Sequence, residues 1–154
     1  MKQYLLEAAG ACLAAIKTKP WTAAVGACGA AVAGALGGWD QTAQTLVTFM
    51  AIDYLTGVIA AGVFHKSQKS ETGGLKSDVG FKGLLRKGLI LLVVVIANML
   101  DAQTGSNYIR DGVCIAYISN EAVSIFENLI LMGVPVPGVI QNALDLLTAK
   151  NENA

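Results

Sequence analysis

The sequence predicts an all-α integral membrane protein with three to four transmembrane helices and amphipathic helices at its N- and C-terminal ends. Of its 154 residues, 54% are hydrophobic and only 14% are charged, whereas about a quarter of the residues in a soluble domain are charged. Four predominantly apolar stretches approach or exceed the length that crosses the roughly 30 Å of bilayer hydrocarbon. We therefore treat residues 1–154 as a single membrane domain.

Composition and motifs argue against most soluble functions. The formal net charge is zero, so no nucleic-acid partner is expected. Three scattered cysteines, Cys12, Cys28 and Cys114, indicate small core residues rather than a disulfide framework or a zinc site. The chain has one histidine and no nucleophile elbow, phosphate loop or dinucleotide fingerprint. We expect no enzymatic activity, cofactor or metal.

The first twenty residues predict an amphipathic helix, which lies either on a membrane surface or against its own protein. The following stretch contains no charge and is bracketed by Trp21 and Trp39. Aromatic residues favour the two membrane interfaces, so a first span is predicted at 21–39. Small residues at four-residue spacing predict close helix packing in lipid; they are Gly26, Ala30, Gly34 and Gly38.

The second predicted span, 44–64, carries Asp53 near its centre. Gly57 and Ala61 share the Asp53 side of this helix, which predicts a neighbouring helix or a pore there. Residues 65–83 are predicted to form a polar loop.

The third predicted span, 84–101, holds the strongest apolar run. Arg86 and Lys87 stand at its start, where long side chains can reach the membrane interface. Lys87 and Asn98 fall on one face of this helix.

The last predicted span, 109–133, combines an apolar face with a polar one. Five polar residues fall within about a third of the helical wheel; they are Asn120, Glu121, Ser124, Glu127 and Asn128. Gly133, Pro135 and Pro137 end the helix. Residues 138–154 predict a short C-terminal amphipathic helix and tail.

Basic residues give the orientation, because Lys and Arg are retained on the cytoplasmic side. Three of the 11 precede the first span and Arg110 falls in a later connection. Six more are predicted to set the topology or face lipid headgroups; they are Lys66, Lys69, Lys76, Lys82, Arg86 and Lys87. This bias predicts four spans with both termini and the 65–83 loop in the cytoplasm.

Buried carboxylates and amides are the candidate functional residues. In lipid, a carboxylate costs several kcal/mol unless it faces a partner or water. The predicted polar, pore-lining set is Asp53, Asn98, Asn120, Glu121, Ser124, Glu127 and Asn128. Two interpretations remain open: these side chains line a wet path, or they bond to neighbouring helices and hold an oligomer together.

Four motifs resemble the toxin-secretion and phage-lysis holin family over roughly residues 46–147. They are DYLTG (Asp53–Gly57), SDVGFKGLLRKG (Ser77–Gly88), ANMLD (Ala97–Asp101) and ISNEAVSIFENLILMGVPVP (Ile118–Pro137). The resemblance implies a multi-pass protein of the bacterial inner membrane that forms homo-oligomeric pores or lesions. It also implies release of a cell-wall hydrolase (an endolysin) or a secreted toxin as functional partner, and no enzymatic activity.

Two alternatives compete with a pore. A small ion- or proton-coupled transporter would bind its ion at an intramembrane carboxylate such as Glu121 or Asp53. Such transporters commonly contain internal repeats, and the sequence shows no convincing one. A structural membrane scaffold is the third reading.

Overall fold

The computed structural model describes residues 20–66, 74 and 77–152. The predicted N-terminal amphipathic helix lies outside this part of the chain, as do Lys69 and Lys76. The described residues form five helices and no strand. The helices are α1 (Pro20–Ala35), α2 (Gln41–Gly62), α3 (Ser77–Thr104), α4 (Tyr108–Leu131) and α5 (Gly138–Glu152).

Helix α1 belongs to a first unit that ends at Trp39. Its 16 residues span about 24 Å, which is shorter than the expected 21–39 stretch. Gly37 and Gly38 adopt φ values of 88° and 117°, and the Gly38 N–H closes the helix on the Ala33 carbonyl at 2.9 Å. Gly38 therefore does not continue the small-residue stripe, because a left-handed glycine terminates a helix.

Helices α2, α3 and α4 belong to the second unit, which begins at Asp40. All three are long and apolar enough to cross a membrane, which confirms the predicted fold class. The expected spans were 44–64, 84–101 and 109–133, against observed helices of 22, 28 and 24 residues.

Helix α3 differs most from expectation, because it begins at Ser77, inside the predicted 65–83 loop. The apolar run marks where lipid begins, whereas the helical backbone starts two polar turns earlier. Asp78 favours the helix N-terminus, and its carboxylate accepts from Lys82 Nζ at 2.9 Å on the exposed face.

Two helices begin where a carboxylate that lies outside the helix accepts hydrogen bonds from its first N–H groups. Asp40 accepts from the Ala43 N–H at 2.9 Å and caps α2. Asp101, near the end of α3, accepts from the N–H groups of Ile109 and Arg110 at 3.1 and 2.8 Å. This second carboxylate satisfies donors at the start of α4 that the helix itself cannot.

The three long helices run alternately up and down, and α4 packs against both α2 and α3. We call the end where α2 finishes and α3 begins the basic end, because it carries Lys66, Lys82 and Arg86. The other end is called the turn end.

The distribution of side chains in this unit is inside out. Large apolar residues of α3 face outward; they include Leu85, Leu89, Leu92, Ile96 and Met99. Four charged residues are buried instead: Asp53, Lys87, Asp101 and Glu121. Apolar surface outside and polar groups within are typical of helices that are solvated by lipid.

Candidate functional site

Three buried charged residues, one from each long helix, form what we call the central cluster: Asp53, Lys87 and Glu121. Lys87 Nζ donates to Asp53 Oδ2 at 2.8 Å and also to Glu121 Oε2. The exposed fractions of the three residues are 8, 8 and 4%. Two carboxylates share one ammonium group, so the cluster carries a formal charge of −1.

Polar side chains of α2 and α4 extend the central cluster. Asn128 Nδ2 donates to Asp53 Oδ1 at 3.2 Å and lies 3.1 Å from Thr56 Oγ1. The Thr56 hydroxyl in turn donates to the Asp53 carbonyl at 3.0 Å. Both carboxylate oxygens of Asp53 therefore accept hydrogen bonds, as a buried carboxylate requires.

Helical periodicity explains why these three residues meet. Lys87 shares a buried stripe of α3 with Ile90 and Val94, and Glu121 shares one of α4 with Cys114 and Ile125. Spacings of three, four and seven residues place such side chains on one face.

Gly57 of α2 lies opposite Asn128 of α4, beside the cluster. A side chain added at Gly57 would place its first carbon 3.6 Å from Asn128 Nδ2. The sequence left a neighbouring helix or a pore open on the Asp53 side of α2, and in this structure α4 lies there.

A cavity of about 340 Å³, with both polar and apolar walls, leads from the central cluster toward the basic end. Its walls include Asn120, Ser124 and Glu127 of α4, and Lys82 and Arg86 of α3. Ligand-binding cavities commonly have volumes of about 300–1,000 Å³, so this space is large enough for several water molecules or a small solute.

Beyond the central cluster, toward the turn end, the interior is apolar. We call this region the apolar seal; it consists of Leu46, Met50, Val94 and Cys114, which are 1, 6, 1 and 1% exposed. None of these residues lines the cavity. Among the described residues, the cavity thus reaches the central cluster from the basic end, and the apolar seal lies beyond it.

A second polar cluster, which the sequence reading missed as a site, lies at the turn end. Besides its bonds to the start of α4, Asp101 accepts from the Ser106 hydroxyl. Arg110 pairs with Asp40 and with Asp111. The Ala43 N–H, and then Arg110, hold the pKa of Asp40 below its usual value of 3.8. These bonds tie the starts of α2 and α4 to the end of α3.

The structure brings together most of the predicted polar set. Six of its seven members line the cavity: Asp53, Asn120, Glu121, Ser124, Glu127 and Asn128. The seventh, Asn98, is half-buried on α3 about three turns beyond Lys87 and does not line it. Within the described residues, no group of three His, Cys, Asp or Glu side chains is arranged to hold a metal ion.

Lys87 departs from its predicted role as an interfacial residue. Its side chain is buried between two carboxylates instead of extending to the headgroups. A lysine at the start of an apolar run can either extend to the headgroups or pair with a buried acid. Here Asp53 and Glu121 face Lys87, so it pairs. Lys66, Lys82 and Arg86 are exposed, as a topology-setting role requires.

Comparison with known proteins gives a consistent set of matches. The sequence pattern of the bacteriophage holin family matches residues 30–149. An uncharacterized protein of Clostridium perfringens is 42% identical over 117 residues, covering 75% of this chain and 81% of the relative. An uncharacterized protein of Halalkalibacterium halodurans is 40% identical over 133 residues, covering 82% and 91%.

A protein of Bacillus phage phi105 described as a probable holin is 36% identical over 102 residues, covering 66% of this chain and 70% of the relative. No solved structure matches this chain.

Proposed function

The chain belongs to the bacteriophage holin family, and from that premise we propose that it oligomerises in the bacterial cytoplasmic membrane into a pore or lesion. The pore releases a cell-wall hydrolase or a toxin from the cytoplasm. The observation that carries the proposal is the polar face of α4, which lines a cavity although α4 is a membrane-length helix.

The arrangement of one protomer supports a lumen that is shared between copies. The cavity ends at the central cluster and the apolar seal closes the remaining distance. The described part of a single protomer therefore shows no continuous polar path. If several copies turn the polar faces of α4 toward one another, Glu121, Ser124 and Glu127 face common water, which removes the cost of holding carboxylates in lipid.

A small ion-coupled transporter remains the second candidate, and one specific observation favours it. Within the described residues, the cavity beside the buried carboxylates of the central cluster extends toward the basic end, and the apolar seal lies on the other side. Transporters bind ions near the bilayer midplane and open to one side at a time. Such a protein would leave the membrane impermeable to large solutes.

The test is regulated expression in bacterial cells, with membrane potential and the uptake of a membrane-impermeant dye recorded together. We expect an abrupt collapse of the potential with simultaneous dye uptake. A transporter would instead give gradient-dependent ion movement without dye uptake, and a scaffold would give neither, so both outcomes contradict the pore.

Two α4 variants sharpen the comparison. The double variant Ser124→Leu, Glu127→Leu makes the polar face of α4 apolar and should delay or abolish dye uptake. Ile115→Leu on the exposed apolar side of the same helix is the matched control and should behave as wild type.

A further inference from the structure

One lysine of α3 ties α2 and α4 together inside a single protomer. Lys87 bonds Asp53 and Glu121 at once, and all three residues are at least nine-tenths buried. We propose that Lys87 is an internal counter-ion that holds the protomer closed, and that pore opening requires its release from these carboxylates. This inference rests on the proposed pore function.

The groups that the closed protomer bonds internally are also groups that the shared lumen needs. Glu121 and Asn128 belong to the polar face of α4, yet in this structure they bond Lys87 and Asp53. Glu121 cannot keep this enclosed bond and also face common water. Opening therefore exchanges one ion-paired cluster for hydrated side chains, and the strength of the cluster sets how readily the exchange occurs.

The charges around Lys87 predict whether each substitution should favour or oppose opening of the pore. The central cluster carries a formal charge of −1, and Glu127 and Arg86 line the same cavity. Lys82, also on the cavity wall, is paired with Asp78. Removing the lysine leaves two facing carboxyl groups without a cation between them, which is costly in a low-dielectric interior. Removing all three charges leaves none, and neutral buried groups are often tolerated as well as an ion pair or better.

The experiment compares three variants at matched amounts of membrane protein, measured by immunoblotting. Lys87→Met removes the counter-ion alone. The triple variant Asp53→Asn, Lys87→Met, Glu121→Gln removes every charge of the cluster and nearly preserves side-chain volume. Leu89→Met, at an exposed position of the same helix that does not line the cavity, introduces the same residue and is the control.

We expect Lys87→Met to favour the open state by roughly a hundredfold, equivalent to about 3 kcal/mol, since it leaves buried charges uncompensated. Dye uptake should then begin earlier and at a lower protein amount than in wild type. The triple variant, which leaves no uncompensated charge, should open at or after the wild-type time, and Leu89→Met at the wild-type time. Opening times that follow the charge left in the central cluster are not expected if these side chains serve folding alone.

The outcomes separate failure of the inference from failure of the proposed function. Absence of dye uptake with wild-type protein overturns the pore itself. If wild type opens but Lys87→Met opens with unchanged timing at an equal protein amount, the counter-ion role is wrong. Should Lys87→Met fail to accumulate, the triple variant decides: accumulation with opening at or after the wild-type time supports the proposal, and opening before the wild-type time contradicts it.

Discussion

Lys87 lies 34 residues after Asp53 and 34 residues before Glu121, and its ammonium group bonds both carboxylates. This equal separation arises because each interval comprises half of one long helix, a connection and half of the next. The three side chains consequently meet in the interior between α2, α3 and α4, three helices that are each long enough to cross a membrane. A charge change at this depth affects the protein more strongly than the same change at either end.

The two glutamates of α4 are expected to respond differently to conversion to Gln. Glu121 bonds Lys87, whereas no ion pair of the described residues includes Glu127, which lines the cavity. Glu127→Gln should leave insertion and oligomer formation intact and alter ion selectivity. Glu121→Gln should also change the timing of opening. Single-channel recording in planar bilayers measures selectivity, and dye uptake measures timing.

Leu at Glu121 or Glu127 distinguishes a carboxylate that lines a lumen from one that only holds subunits together. If the carboxylates serve only to hold subunits together, Gln retains function nearly intact while Leu breaks assembly. Wild-type selectivity and timing in both Gln variants would remove these residues from the lumen.

Substitutions at Gly57 test the close approach of α2 and α4. Gly57→Ala should be tolerated, because the added carbon meets Asn128 at 3.6 Å and Ala favours a helix by up to about 1 kcal/mol. Gly57→Leu should destabilise the unit by about 1–3 kcal/mol through overpacking. Unfolding in mixed micelles measures the difference. Gly88→Leu is the control, because nothing lies within 4 Å of a carbon added there. Equal stabilities of the two Leu variants would contradict a tight contact.

Asp40 should stabilise α2 in a pH-dependent manner. Its folded pKa lies below the usual 3.8, chiefly because it accepts from the Ala43 N–H. A lowered folded pKa means that the stabilisation is complete well above pH 3.8 and disappears as the pH falls through the lower folded value. Asp40→Ala should cost about 1 kcal/mol at neutral pH through loss of the cap.

Asp40→Asn is the matched control, since it retains a capping side chain without a titrating carboxyl group. The free energy of unfolding is compared between wild type and this variant from pH 7 down to pH 3. A difference that stays constant across the range would argue against the charged cap.

Labelling of single cysteines tests whether α3 crosses the membrane with its basic end inside. In a chain without Cys12, Cys28 and Cys114, we expect Gln103→Cys to react with an impermeant maleimide in intact cells. Lys66→Cys should react only after the cells are opened. Both residues are exposed and lie at opposite ends of the long helices. Reaction of both from the same side would contradict a crossing by α3.

Self-association through α1 is testable at Gly34. Gly26, Ala30 and Gly34 are exposed on this helix, while Gly38 lies beyond its end. Gly34→Leu should therefore weaken crosslinked oligomers in membranes, because small residues permit close helix contact. Val32→Leu, at an exposed position on another side of the same helix, serves as the comparison. Unchanged crosslinking in Gly34→Leu would show that α1 is not the contact.

The polar arc of α4 could be predicted from sequence, because helical periodicity alone places Glu121, Ser124, Glu127 and Asn128 on one side. Periodicity does not reveal which side chain of another helix faces that arc. Lys87 therefore looked interfacial, since a lysine at the start of an apolar run fits snorkelling and pairing equally well.

The turn-end cluster depends even more on tertiary structure. Asp101 bonds N–H groups eight and nine residues further along the chain, and Arg110 reaches Asp40 across 70 residues. The pattern of a single sequence shows which residues are neighbours on one helix. It does not show which residues of two different helices lie opposite each other. The stop at Gly37 was missed for a related reason: its neighbours continue an apolar, small-residue pattern, while the backbone turns left-handed there.

During synthesis, Asp53 of α2 and Lys87 of α3 leave the ribosome before Glu121 of α4. The helix made last, α4, is also the least apolar of the three. Mean hydropathy is highest in α3 and lowest in α4. When α4 reaches the bilayer, the ammonium group that neutralises its carboxylate already stands on a strongly inserting neighbour. The short turn after Thr104, which Asp101 closes onto Ile109 and Arg110, joins α3 and α4 into a hairpin. Biogenesis of α4 therefore depends on α3, and a nascent chain without α3 would leave α4 at the membrane surface.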